Sequence, residues 1–183
     1  MLDISVMILL VVVFALVFDF INGFHDTANA IATTVSTRAM TPQKAIIASA
    51  VLNFCGALLS TGVAKTIGGD IVKSASMVNA NVLVAALIAA IVWNLVTWWY
   101  GIPSSSSHAL IGGLVGAVAA ASGFEALNAK GIETIVLSLV ISPIIALVTG
   151  YALMVVLLWI FGRLAPNMLN HGFKRMQLLS AAA

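Results

Sequence analysis

Charge is what this sequence has least of. Lys, Arg, Asp and Glu together make up 8% of its 183 residues, against about 25% in a soluble domain. So sparse an ionic complement excludes a soluble globular fold. The formal net charge of +2 is too small, and its basic residues too confined to loops, for a nucleic-acid-binding surface. A single cysteine, Cys55, excludes an intrachain disulfide framework and suits a small buried hydrophobe. What fills the space is apolar: 62% of the residues are hydrophobic and the mean hydropathy is +1.14. The chain reads as an integral membrane protein. At about 20 residues per helical span, residues 1–183 hold five or six spans and no sizeable soluble domain. They form a single transmembrane domain.

Within that apolar background the stretch Asn22–Thr33 (N-G-F-H-D-T-A-N-A-I-A-T) stands out. Asn22, Asp26, Asn29 and Thr33 follow an i, i+4, i+7, i+11 spacing, which puts all four on one face of a helix. A carboxylate at membrane depth costs about 2.5–3.5 kcal/mol on insertion scales and is normally tied to an ion, a partner or a water-filled cavity. The stretch therefore predicts an ion-and-anion site, the alternative being a solvated loop after a helix ending near Phe18. Ala28-Asn29-Ala30 imitates a signal-peptide cleavage site. The early Asp3 and Asp19, with no Lys or Arg before them, argue against cleavage.

The first segment runs from about Ile4 to Phe20 and on to about Val35. Its length exceeds a hydrocarbon core of about 30 Å, so a break or tilt is expected. Arg38, Pro42 and Lys44 mark a loop. A second segment, about Ala45–Ala64, carries Ser49, Asn53, Gly56 and Ser60 on one stripe. Small residues there suit close helix packing, whereas the Asn53 amide needs partners and is expected to face Asp26. A loop with Lys65, Asp70 and Lys73 leads to a third segment, about Val82–Tyr100, with Asn94 and Thr97 one turn apart and Trp93, Trp98 and Trp99 crowding its end. Gly101 and Pro103 stop it.

Ser104, Ser105, Ser106 and Ser107 then precede His108 and an apolar helix expected to start near Ser107. Free backbone N–H groups, a positive dipole end and several hydroxyls make an anion seat; a plain capped surface loop is the other reading. The last apolar stretch, about Ile135–Phe161, contains Pro143, which is expected to kink or divide it. Arg163, His171, Lys174 and Arg175 form a basic tail. Five spans with the Arg38/Lys44 loop inside place the N-terminus outside and the serine loop and basic tail inside, as the positive-inside rule favours. An odd number of spans would invert a second copy in the membrane, the plan of inverted-repeat transporters. An intramembrane hydrolase is a poor alternative, because no G-x-S-x-G elbow is present and Ser107 adjoins His108. A channel or a structural membrane subunit stays open, as does transport of another oxyanion such as sulfate.

Two motifs, G-F-H-D-T-A-N-A-I-A-T (Gly23–Thr33) and N-L-V-T-W-W-Y-G-I-P-S-S-S-S-H-A-L-I-G-G (Asn94–Gly113), resemble the N-terminal half of the PiT family of inorganic phosphate transporters. The H-D-T-A-N-A form is closer to the bacterial low-affinity permeases. The resemblance implies an all-α polytopic bundle, one half of an inverted repeat, with broken or re-entrant segments, in the plasma membrane. It implies secondary transport of phosphate coupled to H⁺ or Na⁺, with phosphate carried as a divalent-metal complex in the bacterial permeases. By position Asp26 and Asn29 would hold the coupling cation or metal, and Asn22, Asn53 and Asn94 would assist. Ser104–Ser107 would meet phosphate, and His25 and His108 are candidates to handle protons. Asn53 stands where sodium-coupled relatives often carry Glu, which favours protons or a metal–phosphate complex. No resident cofactor is implied. The partners implied are phosphate, the cation, the bilayer, and a missing C-terminal half or second subunit.

Overall fold

The computed structural model describes residues 2–59, 71–162, 172–173 and 176–178. Five α-helices carry them: α1 Leu2–Ser36, α2 Pro42–Leu59, α3 Ala80–Trp99, α4 Ser106–Ser122 and α5 Ala129–Phe161. Short 3₁₀ turns stand at Ala75–Met77 and Phe124–Ala126, and residues 172–173 and 176–178 are helical. Residues 60–64 of the second segment, Lys65 and Asp70 in its following loop, and the basic residues of the tail lie outside the described residues. Three described helices, Val6–Ser36, Ala80–Trp99 and Ala129–Phe161, are long and apolar enough to cross a membrane, while α4 is a shorter apolar helix.

α1 is unbroken. The solvated-loop alternative for Asn22–Thr33 is excluded, because the stretch is helical throughout. Breaking a helix in apolar surroundings would leave backbone N–H and C=O groups unpaired, a larger loss than the roughly 1 kcal/mol of helix propensity that Gly23 forfeits. Likewise Pro143 does not divide α5, which continues from Ala129 to Phe161 with the proline inside it. α1 ends where Arg38 turns left-handed at φ 56° and the Ala39 N–H returns to the Thr34 carbonyl at 3.0 Å. Pro42 then opens α2, where a missing N–H is harmless.

α3 and α4 form an antiparallel hairpin. Asn79 caps α3 by accepting from the Val82 N–H at 3.0 Å, and Gly101, at φ 63°, turns the chain after Trp99. The helices touch at Gly113, where an added Cβ would lie 2.5 Å from the Ala86 carbonyl oxygen. At the base, Ile71, Val72, Val82, Ala86, Leu114, Val118, Ala126 and Leu127 make one core cluster. An isolated antiparallel bridge, Val72 with Leu127, closes it.

α1 runs parallel to α3. Phe18 and Ile21 pack with Leu87, Ala90 and Ile91, and further along both helices Phe24 meets Trp98 edge-to-face at 5.6 Å. Beyond His25, α1 continues to Ser36, about 16 Å at 1.5 Å per residue. The serine-bearing tip of the hairpin therefore stops level with the middle of α1's polar stretch. α1 carries on past it to the Arg38–Lys44 loop.

Candidate functional site

Buried polar side chains are few among the described residues: His25, Thr34, Asn94, Thr97 and Ser106. Four of these five belong to the hairpin tip and the part of α1 beside it. His25 is nine-tenths buried. Its Nδ1 lies 3.4 Å from Asp26 Oδ1 and its Nε2 lies 3.4 Å from Thr97 Oγ1 on α3. The Thr97 hydroxyl donates to its own helix, to the carbonyls of Trp93 at 2.9 Å and Asn94 at 3.1 Å. Its one hydrogen is thereby committed, so Thr97 accepts and His25 Nε2 carries the donated proton. Nδ1 and Asp26 Oδ1 stand 3.4 Å apart, so a proton carried by either atom is within reach of the other.

Asp26 itself opens outward, its side chain 47% exposed. Asn22, one turn earlier, is half-buried, and Asn29 and Thr33 are exposed, so the predicted face exists and looks away from the packed interior. Asn53 of α2 is exposed. Its one hydrogen bond, at 3.5 Å, goes to Ser49 on its own helix, so it does not join the cluster. No group of three or more His, Cys, Asp or Glu side chains stands together among the described residues. Asp26 and Asn29 can offer oxygens to a cation on their shared face. A divalent ion held there would draw the rest of its oxygens from water or from phosphate.

The four serines part company. Ser104 Oγ accepts from Trp93 Nε1 at 3.2 Å. Ser105 is the N-cap of α4, accepting from the His108 N–H at 3.4 Å, so α4 begins at Ser106, one residue before the expected start. Ser106 is buried and its hydroxyl is unpaired. Ser107 and His108 are exposed. His108 lines two cavities: one of about 810 Å³ against α5 and one of about 650 Å³ along the small-residue face between α3 and α4. Neither cavity contains Asp26.

Thr97 is the residue that sequence reasoning left out of the site, although its place one turn from Asn94 was visible. A threonine in a helix ordinarily bonds back to its own carbonyls, and only the packing of α1 against α3 shows that a histidine uses its remaining lone pair.

Residues 22–182 match the model of a phosphate transporter family. The chain is 55% identical over 178 residues to a protein of Bacillus subtilis named a probable low-affinity inorganic phosphate transporter, covering 97% of this chain and 54% of that one. A protein of the same name from Streptomyces halstedii is 49% identical over 179 residues, covering 97% of this chain and 83% of the relative. Among solved structures a sodium-dependent phosphate transporter superposes with a TM-score of 0.78 at 29% identity, over 84% of this chain and 40% of that one. The chain thus spans about half the length of the Bacillus relative. These are transporters and not enzymes, and the two sequence motifs fall within the matched region: the chain belongs to the phosphate transporter family.

Proposed function

We propose that this chain forms one half of a plasma-membrane permease for inorganic phosphate, taking the anion at the tip of the α3–α4 hairpin and a coupling cation on the Asp26 face of α1. The observation that carries the reading is the gathering of His25, Asn94, Thr97 and Ser106 at one level of an otherwise apolar bundle. Polar groups are kept at such depth when they handle ions or protons. Ser106, Ser107 and the free N–H groups of the first turn of α4 supply donors and a positive helix end for phosphate oxygens. Asp26 would repel phosphate unless a cation or a proton neutralises it, which links the two ions. Asn22 and Asn29 are its nearest helpers by position, while Asn53, exposed on α2, stands outside the cluster.

The contact of His25 Nδ1 with Asp26 Oδ1 supports H⁺ as the coupling ion, with the anion free to arrive as a divalent-metal complex. Sodium is the second reading, favoured by the name of the solved neighbour. The other half of the transporter, on the same chain or a second one, would complete the path, with the N-terminus outside and the basic tail inside the cell.

The test is phosphate uptake into vesicles carrying the full-length protein, driven in turn by a pH gradient and a sodium gradient. Asp26→Asn should abolish coupled uptake under whichever gradient drives the parent. Uptake by this variant with unchanged KM and gradient dependence would remove Asp26 from the mechanism.

A further inference from the structure

Asn94 and Ser106 are the most deeply buried polar side chains, at 0% and 1% exposure. Neither the Asn94 amide oxygen, nor its nitrogen, nor the Ser106 hydroxyl has a hydrogen-bond partner. They sit on facing helices at one level: two turns toward the tip from the Ala86–Gly113 contact lie Trp93–Asn94 on α3 and Ser106 on α4. Unpaired polar atoms in such a place are rare and destabilising. Each of these atoms exposes less than 1 Å², so there is no room beside them even for a water molecule. A ligand would give these atoms partners, and admitting one would require the first turn of α4 to draw back from α3.

The donors and acceptors define that ligand. The Ser106 hydroxyl, the Asn94 Nδ2 and the backbone N–H groups of Ser106 and Ser107, which have no acceptor within α4, all donate. The positive end of α4 adds to them. Together these donors suit the oxygens of an anion. Asn94 Oδ1 is the exception, since it accepts and has no use for a bare anionic oxygen. Hydrogen phosphate carries a P–OH in neutral water, whereas sulfate carries no hydrogen. We propose that Asn94, level with Ser106 on the facing helix, reads the protonated oxygen of hydrogen phosphate and thereby excludes sulfate. A buried polar group left unpaired by the wrong ligand is a strong source of discrimination. The proposal rests on the phosphate reading above and adds the residue that selects the anion.

The test is a set of thermal-shift titrations of the full-length protein in detergent with phosphate, with arsenate (which carries the same hydroxyl) and with sulfate. The parent should respond to phosphate and arsenate far more than to sulfate. Asn94→Leu should narrow the phosphate-to-sulfate affinity ratio at least about tenfold. Without ligand it should melt above the parent, because the unpaired amide is gone. Ser106→Ala, a milder change, should weaken both anions and leave their ratio intact. An unchanged ratio in Asn94→Leu, a lower ligand-free melting point, or a Ser106→Ala protein that binds like the parent would each overturn the proposal. A parent that binds neither phosphate nor arsenate would sink the permease reading and this proposal with it. A parent that binds phosphate, with variants that discriminate as it does, would sink this proposal alone.

Discussion

His25 is held from two sides, by Thr97 at Nε2 and by Asp26 at Nδ1, and that double attachment is what makes it more than a buried ring. A glutamine amide can still donate to Thr97 but cannot shuttle a proton. His25→Gln should therefore flatten the pH dependence of phosphate uptake while leaving KM near that of the parent, measured as initial rates across neutral pH. A pH profile like the parent's would end a proton role for His25. Asp26, His25 and the serine run were legible in the sequence because each is a polar group in a composition that can barely accommodate one. The division of labour among the serines was not. Four hydroxyls in a row can each cap a helix, and only the path of the chain after Gly101 makes Ser105 the cap, turns Ser104 toward Trp93 and buries Ser106.

Elements obey a different logic. The polar stretch of α1 and the proline of α5 both invite a break by local rules, and both helices run through. Backbone satisfaction in apolar surroundings outweighs the local preference of one or two residues. At the α3–α4 crossing the decisive residue is one with no side chain. Gly113 faces the Ala86 backbone so closely that a Cβ would lie 2.5 Å from its carbonyl oxygen, and a backbone atom cannot swing aside as a flexible side chain can. Gly113→Val should push the helices apart and destabilise the hairpin by about 1–3 kcal/mol, read as a lower melting temperature in detergent. Gly112→Ala, one residue away with nothing within 4 Å of an added Cβ, should melt within a degree or two of the parent. Equal melting of the two variants would show that the close approach does not set the hairpin's geometry.

At the scale of the whole molecule the chain leaves much of its apolar surface uncovered. No residue in the apolar window of α5 is buried, and Leu147 and Trp159 stand 73% and 88% exposed. Lipid satisfies part of such a surface. A chain that spans about half of the Bacillus relative also leaves room for a second half beside it. We expect this chain reconstituted alone to move no phosphate, and uptake to appear when a second half is supplied on the same or another polypeptide. Uptake by the chain alone, in a vesicle assay with labelled phosphate, would show that one repeat suffices.

Composition by itself determined that the protein is a helical membrane protein, since no other fold tolerates so few charges and so continuous an apolar content. Two short motifs determined the family, because polar residues at fixed spacing in lipid have few other uses. Tertiary structure decided what spacing cannot: that α1 stays whole, that His25 meets Thr97 of the hairpin, and that Asn94 and Ser106 are buried without partners. Those outcomes depend on which helix lies against which. That in turn is fixed by contacts between residues far apart in the chain, such as His25 with Thr97 and Ala86 with Gly113, which no local pattern encodes.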